Sequence, residues 1–354
     1  MSNILKIAHL NLSHGFRGGE RQTVLLIQNL AQMGVKQILL CRETSPLPQY
    51  LQGVPNLIIH ALSDRPDARL LGHFIIKNSV DLIQAHETLA AQSAFLHHCL
   101  FKTPYVITRR VDDRIRNNIF NRRLYKTASA CVGVSSVIAD IMTKTFGVDS
   151  KTIHSAYSSL QIDPQKATEI KKSWEGKFVV GHIGALVDRH KGQSTLIEAV
   201  KELSAKIKNL LVVFLGEGQD KQILEQKSQG LPIEFLGFKK NVADYLSNFD
   251  IFAFPSNNEG LGSIILDAMN LKIPVVASNV GGIPDLVQND ATGLLIEKGD
   301  HKALAQKIIE LYENKSLRER LVTAALNVTE QNSSQAMAEQ YLQLYKTICS
   351  DQKK

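Results

Sequence analysis

Cysteine, aromatic residues and long apolar runs are all scarce in this 354-residue chain, and each scarcity excludes something. The four cysteines, Cys41, Cys99, Cys131 and Cys349, stand far apart with no paired metal-ligand spacing, so neither a disulfide framework nor a zinc site is expected. No stretch approaches the roughly 18 consecutive apolar residues of a membrane-spanning helix, and the first residues lack the charged-then-apolar pattern of an export signal. The expected location is therefore the cytoplasm. Aromatic residues make up only 6%, with a single tryptophan and no repeated reader motif. Nucleic acid is thus a weak candidate partner even though the formal net charge is +7 and the isoelectric point near 9.1.

What is present is aliphatic. Hydrophobic residues amount to 44%, supplied mainly by Leu, Ile, Val and Ala. Short apolar runs at 4–10, 37–41, 56–60, 81–85, 103–108 and 130–134 alternate with helical periodicity, and after a polar, lysine-rich stretch at 163–176 the alternation restarts at 177–183. Repeated βα units imply parallel sheets, and the length implies two domains. The expected division is residues 1–163, an inter-domain linker, residues 177–330, and a final helical segment, 331–354, with no strand after it.

Chemistry is expected where strands end. The run Asp250-Ile-Phe-Ala-Phe254 is a buried strand closed by Pro255, and 261–270 reads as the helix that follows, so Glu259 lies in the turn between them. Asp267 is eight residues on, near two helical turns, and so about 12 Å along the same face. Between them the N–H groups of Gly260, Leu261, Gly262 and Ser263 are expected to open the helix and favour an anion. In the first half, Gly18-Gly19 precede a helix expected from about residue 20, either as a tight turn or as a phosphate-permissive one. His86 follows its strand directly, at the carboxyl end where open α/β sheets bind ligands. Arg109 and Arg110 end another strand, ahead of Arg114, Arg116, Arg122 and Arg123. That basic stretch suits an anionic glycolipid or membrane face, and its distal arginines read equally well as a solvated charge run. His97-His98 lie inside a helix and imply no metal.

The pattern Glu259-Gly-Leu-Gly, Asp267-Ala-Met and Ile273-Pro-Val-Val-Ala-Ser-Asn-Val-Gly-Gly-Ile-Pro284 resembles the donor-site signature of the retaining family-4 glycosyltransferases. The resemblance implies two Rossmann-like domains facing each other across a deep cleft, the GT-B architecture, with a nucleotide-sugar donor in the second and an anionic glycan or glycolipid acceptor mostly in the first. It implies that Glu259 holds a hydroxyl of the transferring sugar and that Asp267, one methylene shorter than the family's second glutamate, reaches the ribose. Gly18 or Gly19 would face the donor diphosphate, and His86 matches the second histidine of a His-x-His pair that reaches the sugar. Gly184, Lys191 and Gly192 match a Gly-Arg-Leu…Lys-Gly loop whose cations neutralise the diphosphate. Ala185 stands in the arginine's place, so Arg189 is the expected substitute. Fixed cations would stabilise the leaving diphosphate, with no metal or other cofactor implied. Arg109 and Arg110 are the expected acceptor ligands, with peripheral contact at the cytoplasmic face of the inner membrane. The implied activity is sugar transfer in lipopolysaccharide or related cell-envelope glycan synthesis, and in proteins of this resemblance the last helix packs back on the first domain. A nucleotide-sugar epimerase and a non-catalytic sugar-nucleotide binder are the rivals.

Overall fold

The computed structural model describes residues 5–63, 72–77, 79–158 and 160–351. It divides into two units, Met1–Ser158 with Ser333–Lys354, and Ser159–Asn332.

Unit 1 is built on seven parallel strands in the order β3-β2-β1-β4-β5-β6-β7. These are β1 (Lys6–Asn11), β2 (Lys36–Arg42), β3 (Leu57–Leu62), β4 (Leu82–Ala85), β5 (Tyr105–Arg109), β6 (Ala130–Gly133) and β7 (Ser150–Thr152). Apolar residues in them, such as Ile7, Leu39, Leu82 and Val106, are fully buried, as in strands covered on both faces. The strand order reverses between β1 and β4, which pair with Leu10 opposite Ala85, so the ligand-favouring switch point lies beyond those residues. Helix α1 (Gly18–Gln32) covers one face together with the last helix of the chain, Ser334–Asp351, through Leu26, Leu30, Met337, Tyr341 and Tyr345.

Unit 2 has six parallel strands ordered β10-β9-β8-β11-β12-β13: β8 (Phe178–Ile183), β9 (Leu210–Leu215), β10 (Ile233–Gly237), β11 (Ile251–Phe254), β12 (Val275–Ser278) and β13 (Leu294–Ile296). Here the switch point falls between β8 and β11. Gly181 in β8 is required by packing, because a Cβ there would lie 1.9 Å from the Phe249 ring.

Three expectations change. The polar stretch at 163–176 is no linker: Pro164–Ser173 is a helix, capped by the Asp163 carboxylate and packed within unit 2. The Asp163 N–H donates to Asp244 Oδ1 at 2.7 Å, and Asn248 Nδ2 donates to the Ala167 carbonyl at 3.0 Å. None of that helix's residues is fully buried, which is why its composition imitates a linker. Helix α1 opens at Gly18 rather than after the glycines. The helix after β11 opens at Ile264 rather than Leu261, because Gly262 takes φ +81°, a left-handed value that a right-handed helix cannot include.

Candidate functional site

The unit 2 site forms where β8 and β11 run out side by side. β8 leads through Gly184 and the exposed Ala185 into a one-turn helix, Asp188–Lys191, and β11 leads through Pro255 into the 256–263 loop. The two loops are tied together. The N–H groups of Asn257 and Asn258 donate to the His190 carbonyl at 2.8 and 3.1 Å, and Asn257 Nδ2 donates to the Asp188 carbonyl at 3.1 Å. Gly192 makes the approach possible: at φ +63° its Cβ would sit 2.0 Å from the Pro255 oxygen. From the other side, Gly282 N–H donates to the Glu259 carbonyl at 3.1 Å, and a Cβ on Gly281 would lie 1.9 Å from that same oxygen.

This double clamp brings Lys191 and Glu259, 68 residues apart, into a salt bridge. Their side chains are 22% and 15% exposed, and the ammonium also stands 5.2 Å from the centre of the Phe254 ring. Beneath them His182 is fully buried, its Nδ1–H donating to the Ala253 carbonyl at 3.0 Å. Burial, helped by the Lys191 charge, pushes its pKa down to about 4, so it is neutral and supports the floor of the site.

The N–H groups of Gly260, Leu261, Gly262 and Ser263 precede the helix instead of forming its first turn, yet among the described residues none of the four is hydrogen-bonded. A row of free backbone donors beside a lysine can receive a phosphate. Gly184 adjoins the same corner, with the position of its Cβ 3.7 Å from the Lys191 side chain. Arg189 is exposed on the one-turn helix and forms no ion pair among the described residues. Asp267 differs from expectation: it is 4% exposed, in a seven-residue helix whose neighbours Leu266 and Ala268 are also buried.

In unit 1 the structure gathers His86, Arg110 and Gly19 around the switch point, with two residues that the sequence pattern did not single out. His86 is 1% exposed. Its partners settle the tautomers in one direction: His9 Nε2–H donates to Gln37 Oε1 (3.0 Å), His86 Nε2–H to His9 Nδ1 (3.0 Å), and Arg110 Nη2 to His86 Nδ1 (3.1 Å). Arg110 Nη1 also donates to the His86 carbonyl at 2.8 Å. Burial, then the Arg110 charge, holds His86 well below the usual histidine range, and burial lowers His9 to about 4, so both rings are neutral. Both ring nitrogens of His86 are thus spent inside the protein, contrary to the expectation of a direct sugar contact. Arg110 is likewise turned inward, toward His86 and the Gly19 backbone, where a Cβ would lie 3.4 Å from its Cδ. Arg109 donates to the Asp113 carbonyl. The Nε atoms of both arginines are buried without a partner, beside a pocket of about 370 Å³ that Gly19, Glu20, Thr88 and Tyr125 also line. Gly18 and Gly19 form the first turn of α1, where the Glu20 carboxylate accepts from the Arg17 N–H at 2.8 Å. That carboxylate occupies part of the helix terminus expected to serve a phosphate. A signal for His9 existed in the sequence, a polar residue inside an apolar run, whereas Gln37, beside Lys36 at the start of β2, gave none.

Comparison with known proteins agrees with this anatomy. The family model described as Glycosyltransferase Family 4 matches residues 16–159, and that of Glycosyl transferases group 1 matches residues 165–328. The chain is 29% identical over 202 residues to the capsular polysaccharide biosynthesis glycosyltransferase CapM of Staphylococcus aureus, covering 55% of this chain and 53% of that protein. It is 30% identical over 171 residues to the lipopolysaccharide core biosynthesis glycosyltransferase LpsE of Rhizobium meliloti, covering 47% and 49%. The matches thus span about half the length of these curated relatives. Among solved structures, HepE of Anabaena, crystallised with UDP and glucose, superposes with a TM-score of 0.83 at 18% identity, over 97% of this chain and all of that one. Two family models that between them take in both units, and a shared fold of two parallel-sheet α/β domains of GT-B type, show that the chain belongs to glycosyltransferase family 4.

Proposed function

We propose that this protein transfers a sugar from a nucleoside-diphosphate donor to a glycan or glycolipid acceptor of the cell envelope, with retention of anomeric configuration. The observation that carries this reading is the corner formed by the Lys191–Glu259 pair and the four unpaired N–H groups at 260–263. A diphosphate seated there draws on those donors and on Lys191, with the exposed Arg189 near enough along the chain to add a second cation. Lys191 then turns from Glu259 to the phosphate, and the freed carboxylate is left to accept hydrogen bonds from sugar hydroxyls. As the bond from the anomeric carbon to the phosphate oxygen breaks, its electron pair passes to the diphosphate, and cations already in place stabilise that charge. No metal is proposed for this step. Retention is taken from the family resemblance, with departure and attack on one sugar face.

The roles of CapM and LpsE in capsule and lipopolysaccharide core synthesis support a cell-surface glycan product, and the HepE complex supports a nucleoside-diphosphate sugar donor. In unit 1 the buried, unpartnered Nε atoms of Arg109 and Arg110 support an anionic acceptor in the pocket they line, with Arg109 the better placed because the terminal nitrogens of Arg110 hold His86. The test is to incubate the protein with a panel of nucleotide sugars and an envelope glycolipid extract and to follow nucleoside-diphosphate release. Acceptor-dependent release from one donor is the expected result. A donor converted to its epimer without release, or bound without any turnover, would replace the proposal with one of its rivals.

A further inference from the structure

The loops that leave β1 and β2 carry an aromatic pair with no part in the donor chemistry of unit 2. The two strands are parallel neighbours, with Asn11 opposite Cys41, so their loops emerge at the same carboxyl edge, and the Arg42 side chain ties them by donating to the Leu12 carbonyl. After β2, Leu47–Tyr50 form a short helix, α2, which Pro46 and Pro48 stiffen and which the buried Leu47 and Leu51 anchor. Gln28 Nε2 of α1 donates to the Tyr50 carbonyl at 3.3 Å. Phe16, in the loop after β1, packs on the same small core as Leu47 and Leu51. The Tyr50 ring lies flat against Phe16, with centroids 4.0 Å apart and planes 11° from parallel. Tyr50 is thus held on one side and left 51% exposed, and among residues 13–17 and 43–53 it is the one large apolar side chain so exposed. His14, Arg17 and Gln49, close to the pair along the two loops, are exposed and polar. Arg17 also lines the pocket of Arg109 and Arg110.

We infer that Tyr50 is a stacking subsite for a pyranose ring of the acceptor glycan, an inference that rests on the reading of unit 1 as the acceptor side. A pyranose with ring hydrogens gathered on one face presents weakly positive C–H bonds there, which suit the negative face of an aromatic ring, while its hydroxyls project from the rim. The uncovered apolar area is one ring wide and fringed by polar side chains, which matches a single sugar and is far below what a protein partner buries. Because Phe16, the two prolines and Gln28 already fix the ring, little conformational freedom is left to lose on binding. The subsite adds affinity and selects the acceptor's sugar, and it takes no part in breaking the donor bond.

The experiment is saturation-transfer NMR on the full chain with methyl β-galactoside, with methyl β-glucoside, and with sorbitol, which has the hydroxyls but no ring, in the absence of nucleotide sugar and glycolipid. Saturation should reach at least one of the two glycosides, concentrated on the hydrogens of one ring face, and should spare sorbitol. Tyr50→Ala should abolish it. Tyr50→Leu, which keeps bulk over Phe16 without an aromatic face, should abolish it too, whereas Tyr50→Phe should retain it. With the envelope glycolipid extract as acceptor, Tyr50→Ala should raise the apparent Michaelis constant about fivefold to tenfold and leave nucleoside-diphosphate affinity unaltered. Absence of saturation on both glycosides, equal saturation of sorbitol, or saturation undiminished in Tyr50→Leu would each overturn the inference. So would a Tyr50→Phe variant as inert as Tyr50→Ala, since the contact would then belong to the hydroxyl. The spectra do not depend on sugar transfer, so their failure is distinct from an absence of nucleoside-diphosphate release, which would remove the proposed reaction instead.

Discussion

Breaking the Lys191–Glu259 pair tests the geometry of the unit 2 site without any substrate. At an ordinary contact distance of ~3 Å and an effective dielectric constant of ~20, the direct attraction is roughly 5 kcal/mol. Both side chains keep some access to water, 22% and 15%, and both gave up hydration to meet, so the net coupling should be far smaller, about 1–2 kcal/mol. Lys191→Met keeps the aliphatic stem against Phe254 while deleting the charge, and Glu259→Gln keeps the shape of the carboxylate. Each single change leaves a half-buried charge uncompensated and should destabilise unit 2 by about 1–3 kcal/mol. The double variant should be less destabilised than the sum of the two. Urea unfolding followed by tryptophan fluorescence reads this directly, because the only tryptophan, Trp174, is buried in unit 2 against Phe249. Single-variant effects that add to within about 0.5 kcal/mol would mean that no pair forms, and would refute both the clamp between the two loops and the donor-triggered release built on it.

Three further outcomes follow from the same structure. His9 and His182 are buried with pKa values near 4, against 6.5 when unfolded, so the unfolded chain takes up protons first as pH falls. Stability of each unit should be level above pH 6.5 and drop between 6.5 and 4 by up to about 3 kcal/mol per histidine; a unit 1 whose pH dependence in that window is unaltered by His9→Gln would contradict this. Gly281→Ala places a methyl group 1.9 Å from the Glu259 carbonyl at a φ of +54°, so it should lower turnover at least tenfold while the seven-stranded unit 1 unfolds as before. Arg109→Ala should raise the apparent Michaelis constant for the acceptor and leave nucleoside-diphosphate affinity, read by calorimetry, unchanged; a variant that loses nucleotide affinity instead would remove Arg109 from the acceptor pocket.

The strands were legible because residues covered on both faces must be apolar throughout, and runs such as Leu210–Leu215 admit no other reading. Glu259 and Lys191 were each legible from local pattern, but their pairing was not, since it depends on two loops brought together by Gly192 and Gly281 at conformations that no local signal announces. The start of the helix after β11 is hidden in the sequence for the same reason: Leu261 and Ser263 suit a helix, and the left-handed turn at Gly262 overrules them. His86 does follow β4 at the carboxyl end of its sheet, but nothing in the sequence announces where its ring turns. Its ring is captured by His9 and Arg110, partners 77 and 24 residues away that only the folded sheet brings together. The helix at Pro164–Ser173 has the composition of a linker because hydrogen bonds from Asp163 and Asn248 anchor it rather than an apolar face.

Transfer of an isotopically labelled sugar tests the central claim most directly. The nucleotide sugar that supports acceptor-dependent release is supplied with a labelled sugar ring, and the acceptor is recovered and weighed by mass spectrometry. The account predicts one labelled sugar gained per acceptor with wild type, and a rate at least tenfold lower, about 1.4 kcal/mol of barrier, with a folded Glu259→Gln variant. Label found only in free sugar or in an epimerised donor, or transferred equally fast by Glu259→Gln, would contradict it.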